Sequence, residues 1–448
     1  MQAPLKPDLL MWAIAAMMVT FIWRVQDFSP ILAKLRLVIL AAILGGAVFL
    51  NDKHPFRRIS QLRRPLLVIT AGILVAGMLG IPTAIVASRA AISLLTEGIP
   101  NWAFMVMVAC SIRSLRDIEW YALMSLLGAV VYAISVVLFF PPTPDGRLGA
   151  LVYYDANEFA LLLVCHIPFA VYLLRSSATL RQKAIGAFSM AVLALVVMKS
   201  GSRGGFVGFL IVMTYVLLRY RGVPARTRLL AVVGGGIVLL LTASDSYWTR
   251  MRTLLEPEKD YNYSGQSETG RMEIWKRGVG YMKSSPLLGV GLRGFPVAEG
   301  YSAPARAHAI QEQGFKWSVA HNAYVEVGAE IGFPGLVLFI ASLITGIVMM
   351  ARIRPGAAPP GTGPPRDVPL AQMILGSLFG FMVVSTFVSS EQFAFLYLLF
   401  GLVLGHRKVT DWLQRARPTG PVPARAGTGP ARFGARMPPP PPVRRPAV

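Results

Sequence analysis

Apolar stretches recur from one end of this chain to the other, and they constrain its fold more than any other feature. Residues 8–23, 31–50, 66–82, 91–110, 119–140, 157–174, 184–199, 204–219, 229–243, 332–350, 369–388 and 391–405 each read as a membrane span. A helix needs about 20 mostly apolar residues to cross the hydrocarbon core. Hydrophobic residues make up 54% of the chain and charged residues 15%. A soluble domain carries roughly 25% charged residues. The expected fold class is therefore an all-α polytopic membrane protein with about twelve transmembrane helices. The first run, "LLMWAIAAMMVTFIW", leads into Arg24 and not into a small-residue cleavage site, so it reads as a span. Cys110 and Cys165 both sit in apolar runs, where they read as packing residues.

The net charge of +22 would suit a nucleic-acid partner if it were gathered on one soluble face. It is instead segregated by loop. "DKHPFRRISQLRR", "RSLRD", "RSSATLRQK", "RYRGVPARTR", "ARIRPG" and the C-terminal tail are basic. The short loops between them hold only Arg24, Arg89, Arg147, Lys199 and Arg203. The positive-inside rule makes the basic set cytoplasmic, with anionic membrane lipids as its partners and both termini on that side. No nucleic-acid partner is expected.

This divides the chain into four parts. Residues 1–243 hold spans one to nine. Residues 244–320 form one large polar loop on the external, periplasmic side. Residues 321–405 hold a boundary helix and spans ten to twelve. Residues 406–448 form a basic cytoplasmic tail, Pro/Gly-rich and disordered by composition. Within the loop, Met272, Trp275, Val279 and Met282 recur at helical spacing and predict an amphipathic helix over 270–283.

Four polar clusters fall at span ends or in this loop, all on the external side of the charge-derived topology. "KSGSRGGFVG" puts Arg203 at the first turn of span eight, where free N–H groups and the helix dipole favour an anion. Its glycines allow another helix to approach closely. An interfacial arginine reaching for lipid headgroups meets the same description. "ETGRMEIW" puts Arg271 at the start of the amphipathic helix, as a phosphate fork or as a solvated charge. "DGRLGALVYYDANEFA" offers Arg147, with Asp155 and Asn157 as helix caps.

"AHNAYVEVGAEIGFPG" places His321, Asn322 and Tyr324 where the loop meets a short helix. A histidine there is a general-base candidate. If the helix begins at His321, Tyr324 and Gly328 share its side, while Glu326 and Glu330 lie opposite and bond other spans or face water. "GFPG" at 332–335 should break the helix before span ten. His308, in "ARAHAIQ", competes for the base role. No Walker loop, zinc spacing or HExxH motif is present, and "GVGLRG" lacks the strand–helix setting of a dinucleotide site. No cofactor or metal is expected.

Taken in order, "GRLGALVYYDANEFA", "GSRGG", "GRMEIW", "SPLLGVGLRGF" and "HNAYVEVGAEIGFPG" resemble the O-antigen ligase and polymerase superfamily of bacterial envelopes. The resemblance covers roughly residues 60–405. It implies an inner-membrane, metal-independent, inverting glycosyltransferase. The donor would be a glycan on undecaprenyl pyrophosphate, and the acceptor lipid A–core or another glycan or protein. By motif, His321 would be the general base, and Arg203 and Arg271 would hold the donor pyrophosphate, with Arg147, Asn322 and Tyr324 in support. The long loop between spans nine and ten favours a ligase over the polymerase or protein O-oligosaccharyltransferase of the same superfamily. A lipid-linked glycan transporter would need charged positions deep in several spans, and the sequence has no such series.

Overall fold

The structure is a computed structural model that describes residues 7–142, 147–148, 153–176, 179–219, 225–226, 228, 268–302, 318–353 and 366–415. From 245 to 264 it also describes all but 254, 257, 259 and 261. Every regular element among these residues is a helix. Seven are long and apolar enough to cross a membrane. We number the helices used below α1 (Leu9–Phe21), α2 (Leu37–Asn51), α3 (Arg64–Leu79), α4 (Ala87–Ser111), α5 (Leu115–Phe139), α6 (Ala156–Ser176) and α7 (Leu180–Lys199). They continue as α8 (Arg203–Arg219), α9 (Asp245–Arg252), α10 (Arg271–Ser284), α11 (Ala323–Ala351), α12 (Asp367–Val384) and α13 (Ala394–Arg415). The stretch read as span nine, 229–243, and His308 lie outside the described residues.

α6 is the hub. From Ala156 to Leu173 every residue except Glu158 is buried. Lipid is as apolar as leucine, so close approach of backbones must hold such a helix in place. Small residues supply it. A Cβ on Gly205 of α8 would sit 2.5 Å from the Ala160 side chain of α6, and one on Gly186 of α7 would sit 2.7 Å from Leu174 N. A Cβ on Gly208 would collide with Val384 of α12. The glycines of "GSRGGFVG" therefore seat α8 in the groove between α6 and α12. α2 is the opposite case: Ile39, Leu40, Ile43 and Leu44 face outward, a surface suited to lipid.

α11 breaks where its sequence requires. Ile331 and Gly332 leave helical geometry, Gly332 with φ 72°, and Pro334 follows. A break strands carbonyls that a membrane cannot hydrate. The "PLLGVGLRGF" turn meets this need. Val290 and Gly291 donate to Ala329 O and Glu330 O at 2.8 and 2.9 Å, while Phe333 N–H donates to Pro286 O at 2.8 Å.

α10 lies on the first half of α11. Its buried stripe is Ile274, Gly278 and Met282, a quarter-turn from the expected one, and Val279 is exposed. The reason is Gly278, whose bare backbone lets Val325 and Phe295 close in. The Arg277 fork on Glu299, at 2.6 and 2.9 Å, and the Tyr281 hydroxyl on Glu299 at 2.8 Å tie the loop together.

α13 runs ten residues past the expected end of span twelve. "HRKVTDWLQR" stays helical because its polar groups find partners. Lys408 Nζ donates to Cys110 O and Phe56 O, and His406 Nε2 bonds Asp367 O. The first part of the expected tail is thus packed helix; residues 416–448 are outside the described ones. Cys110 and Cys165 are buried and unbridged.

Candidate functional site

Four breaks in the helices meet at one end of the bundle: the starts of α6, α8 and α11, and the link 385–393 between α12 and α13. His321 lies just before α11, which begins at Ala323. It is not the first residue of the helix, as the sequence suggested, because Asn322 takes the N-cap. The Asn322 side chain accepts from Tyr324 N and Val325 N at 3.0 and 3.2 Å. Its role is that of a cap, worth about 1 kcal/mol to the helix. The Tyr324 hydroxyl turns to α12 and donates to Met382 O at 2.7 Å. None of these bonds reaches His321.

His321 itself has a left-handed backbone, φ 46°. Such a conformation is costly for a residue with a Cβ and is found where surrounding contacts enforce it. Here its N–H donates to Ser389 Oγ at 3.1 Å. The ring is one-third exposed, and Nδ1 stands 3.7 Å from Asp155 Oδ2. Burial pushes the imidazole pKa down to about 4, helped by Arg271 and Arg147 and opposed by Asp155. The ring is therefore neutral at ordinary pH.

Arginines gather around it. Arg271, Arg147 and Arg250 all act electrostatically on Arg203, so the four share one region. Arg203 opens α8. Its Nη1 donates to Thr253 Oγ1 at 2.7 Å, it pairs with Asp260, and its guanidinium stands 5.7 Å from the Tyr263 ring centre. Arg271 opens α10 and donates to Phe387 O at 3.2 Å. Gly201 explains how two more arginines come so close. It has φ 62°, and a Cβ there would sit 2.7 Å from Arg250 Nη1 and 3.2 Å from Arg147 Cγ. Like charges repel, so a cluster of this kind asks for an anion. Two helix starts carrying arginines suit a phosphate.

The sequence reading took Asp155 and Asn157 together as caps. Asp155 does cap α6: its Oδ1 accepts from Asn157 N and Glu158 N at 2.7 Å, and Glu158 accepts from Asp155 N at 2.9 Å. Asn157 does not. Its Oδ1 accepts from the Ser202 hydroxyl at 2.8 Å, and Ser202 in turn caps α8 through Gly205 N at 3.0 Å. α6 and α8 are thus registered at the site. The approach of Asp155 to His321 has no sequence signal, because nothing in the spacing links residues so far apart. Arg250 and Asp260 carried no motif.

Glu326 and Glu330 bond other elements, one of the two outcomes expected. Glu326 accepts from the Ser389 hydroxyl, and Glu330 accepts from Phe295 N at 3.1 Å. Among the described residues, no group of three or more His, Cys, Asp or Glu side chains could hold a metal.

Comparison with known proteins bears on this region. Residues 188–340 match the model of the O-antigen ligase family, a segment that holds Arg203, Arg271 and His321 but neither Asp155 nor the 385–393 link. The chain is also 36% identical over 81 residues to the exopolysaccharide production protein ExoQ of Rhizobium meliloti (strain 1021). That match covers 17% of this chain and 18% of the relative. Both findings support the O-antigen ligase and polymerase superfamily.

Proposed function

We propose that this chain, O-antigen-ligase-like over residues 188–340, is an inner-membrane glycosyltransferase that moves a glycan from undecaprenyl pyrophosphate to an acceptor hydroxyl. The observation that carries the reading is the gathering of Arg147, Arg203, Arg250 and Arg271 beside a neutral histidine at one end of the bundle. In this account the arginines hold the pyrophosphate. His321 takes the acceptor proton at Nε2 while Asp155 faces Nδ1. The acceptor oxygen bonds to the anomeric carbon, the bond from that carbon to the pyrophosphate oxygen breaks, and its electron pair leaves with the pyrophosphate. Attack from the face opposite the leaving group inverts the centre. The guanidinium charge stabilises the leaving group without a metal. The fuller architecture belongs to the same proposal: twelve spans, both termini cytoplasmic and the site facing the periplasm.

Within the superfamily we favour a ligase acting on lipid A–core, because a long loop, part of it docked as α10, stands beside the site. A polymerase is the second reading; the similar protein ExoQ is named for exopolysaccharide production. The experiment that separates them is a donor–acceptor swap with purified protein. Undecaprenyl-pyrophosphate glycan is supplied with lipid A–core or alone, beside a His321→Ala control. Product on lipid A–core only, lost in the variant, supports the ligase. Longer chains on the carrier lipid, with no added acceptor, make it a polymerase. Product that survives in the variant moves the base elsewhere.

A further inference from the structure

Beside His321, on the side of the 385–393 link, lies a small pocket of about 100 Å³. Its walls include Tyr153, Glu158, Arg293, Glu391, Gln392 and Phe393. None of these belongs to the arginine cluster. Ser389 lines the pocket and receives the His321 N–H, so the two sites share a wall. Glu158 is joined to Asp155 by their reciprocal cap, which makes a second link to His321.

The pocket is built at a cost. Glu391 is 9% exposed, and its Oε2 is buried with no hydrogen-bond partner. Glu326, behind Ser389, likewise has a buried and unpartnered Oε1. A buried carboxylate oxygen without a partner carries the full cost of its lost hydration. Arg293 has a left-handed backbone, φ 56°, and its guanidinium meets Glu97 at 2.8 Å while facing Glu391 and Glu330. It comes from the turn that pins the break in α11, so its position is fixed by the fold.

The chemistry selects a ligand class. Two glutamates, Glu158 and Glu391, face a single arginine in the lining and disfavour a phosphate, so the pocket is not an extension of the arginine site. The Arg293 guanidinium repels a metal ion. A neutral polyol fits both facts. Each sugar hydroxyl donates once and accepts twice. Carboxylates take the donated protons, and Arg293 and the Gln392 amide serve the acceptor side. Tyr153 and Phe393 offer aromatic walls for the apolar faces of a sugar ring. One face of Tyr153 is covered by Arg24, 3.5 Å from its centroid, which holds the ring in place.

We infer that this pocket is the acceptor subsite: it binds the sugar whose hydroxyl His321 deprotonates, with Glu391 as its main hydrogen-bond acceptor. The inference rests on the transferase reading above and deepens it by separating an anion site for the donor from a carboxylate-lined site for a neutral sugar.

The test uses the full chain in nanodiscs. Two free oligosaccharides are titrated by calorimetry: the core released from lipid A–core by mild acid, and the repeat unit of the donor glycan. Transfer kinetics are measured in parallel. The variants are Glu391→Gln, which keeps the shape, and Tyr153→Ala, which changes a side chain at the surface. One of the two oligosaccharides should bind. Both variants should weaken that binding, Glu391→Gln by roughly ten- to hundredfold, the worth of one charge-assisted hydrogen bond. Acceptor KM should rise by the same factor, with donor KM moving by less than about twofold, because uniform binding is lost on one substrate only. Binding of neither oligosaccharide, or binding that both variants leave intact, overturns the subsite. Binding without transfer in the unsubstituted protein keeps the subsite and removes the transferase reading. Transfer with variant-insensitive acceptor binding does the reverse.

Discussion

Around the C-terminal end of α13, Arg57 is clamped between Asp8 and Asp52, Arg113 reaches Asp8 at 2.8 Å, and Arg63 meets Asp411 at 2.5 Å. Around its N-terminal end, four arginines crowd one another, and two carboxylates bury oxygens without partners. Both ends carry many charges, and they use them differently. At the first, each of these cations has an anion beside it, and the cluster fastens helix ends together. At the second, bare Gly201 lets Arg250 and Arg147 close in beside Arg203 and Arg271. The second arrangement is strongly positive and suited to an added anion, even with Asp260 beside Arg203. Charge count therefore says little about function here; the arrangement of the charges says more.

The largest break in this contrast should come from the arginines that open helices. Arg203→Lys and Arg271→Lys keep the charge but lose the bidentate fork. Each should lower kcat/KM for transfer by about 10²-fold, the typical loss of one transition-state donor. Steady-state kinetics on the lipid-linked donor would show it, and a loss under about twofold would place the pyrophosphate elsewhere.

Asp155→Asn is the sharper probe, because asparagine caps a helix as well as aspartate does. The helix should stay intact while His321 loses the charge that raises its pKa. We expect transfer to fall about tenfold, as one unit of lost basicity would cost, with its acid limb shifted to lower pH. A loss explained by a lower melting temperature alone would leave Asp155 as a cap and nothing more.

The opposite end should behave in reverse. Arg57→Ala leaves Asp8 and Asp52 without their shared cation and should cost roughly 3 kcal/mol of stability. Activity per folded molecule should stay the same. Thermal unfolding in detergent and transfer normalised to folded protein separate the two. The smallest effect expected is that of EDTA, which should leave transfer unchanged. Loss with EDTA and rescue by Mg²⁺ or Mn²⁺ would give a metal the work assigned to the arginines.

How much was legible beforehand follows the same division. Local features were readable. Hydropathy located the long apolar helices among the described residues, "GFPG" located the break in α11, and the glycines of "GSRGG" announced close packing. Arg203 and Arg271 open helices where the sequence places helix starts, because such starts have a sequence signature. What failed was long-range. Asp155 was read as a cap, which it is, but its proximity to His321 depends on how α6 and α11 pack. Glu391 was taken as the first residue of a span. A charge at that position was itself a signal, since a carboxylate at an apolar boundary needs a reason. The α10 stripe was misjudged because Gly278 carries no hydrophobic weight in the pattern and yet marks the closest contact.

The measurement that bears most directly on the account is single-turnover transfer by the unsubstituted protein and by His321→Ala, from pH 4 to pH 8. With His321 neutral and its pKa near 4, transfer should hold level from pH 8 down to about pH 5 and fall only below that. His321→Ala should lose roughly 10²- to 10⁴-fold and show no such limb. A variant that keeps the same acid limb, at a rate near that of the unsubstituted protein, would contradict the central claim that His321 is the base.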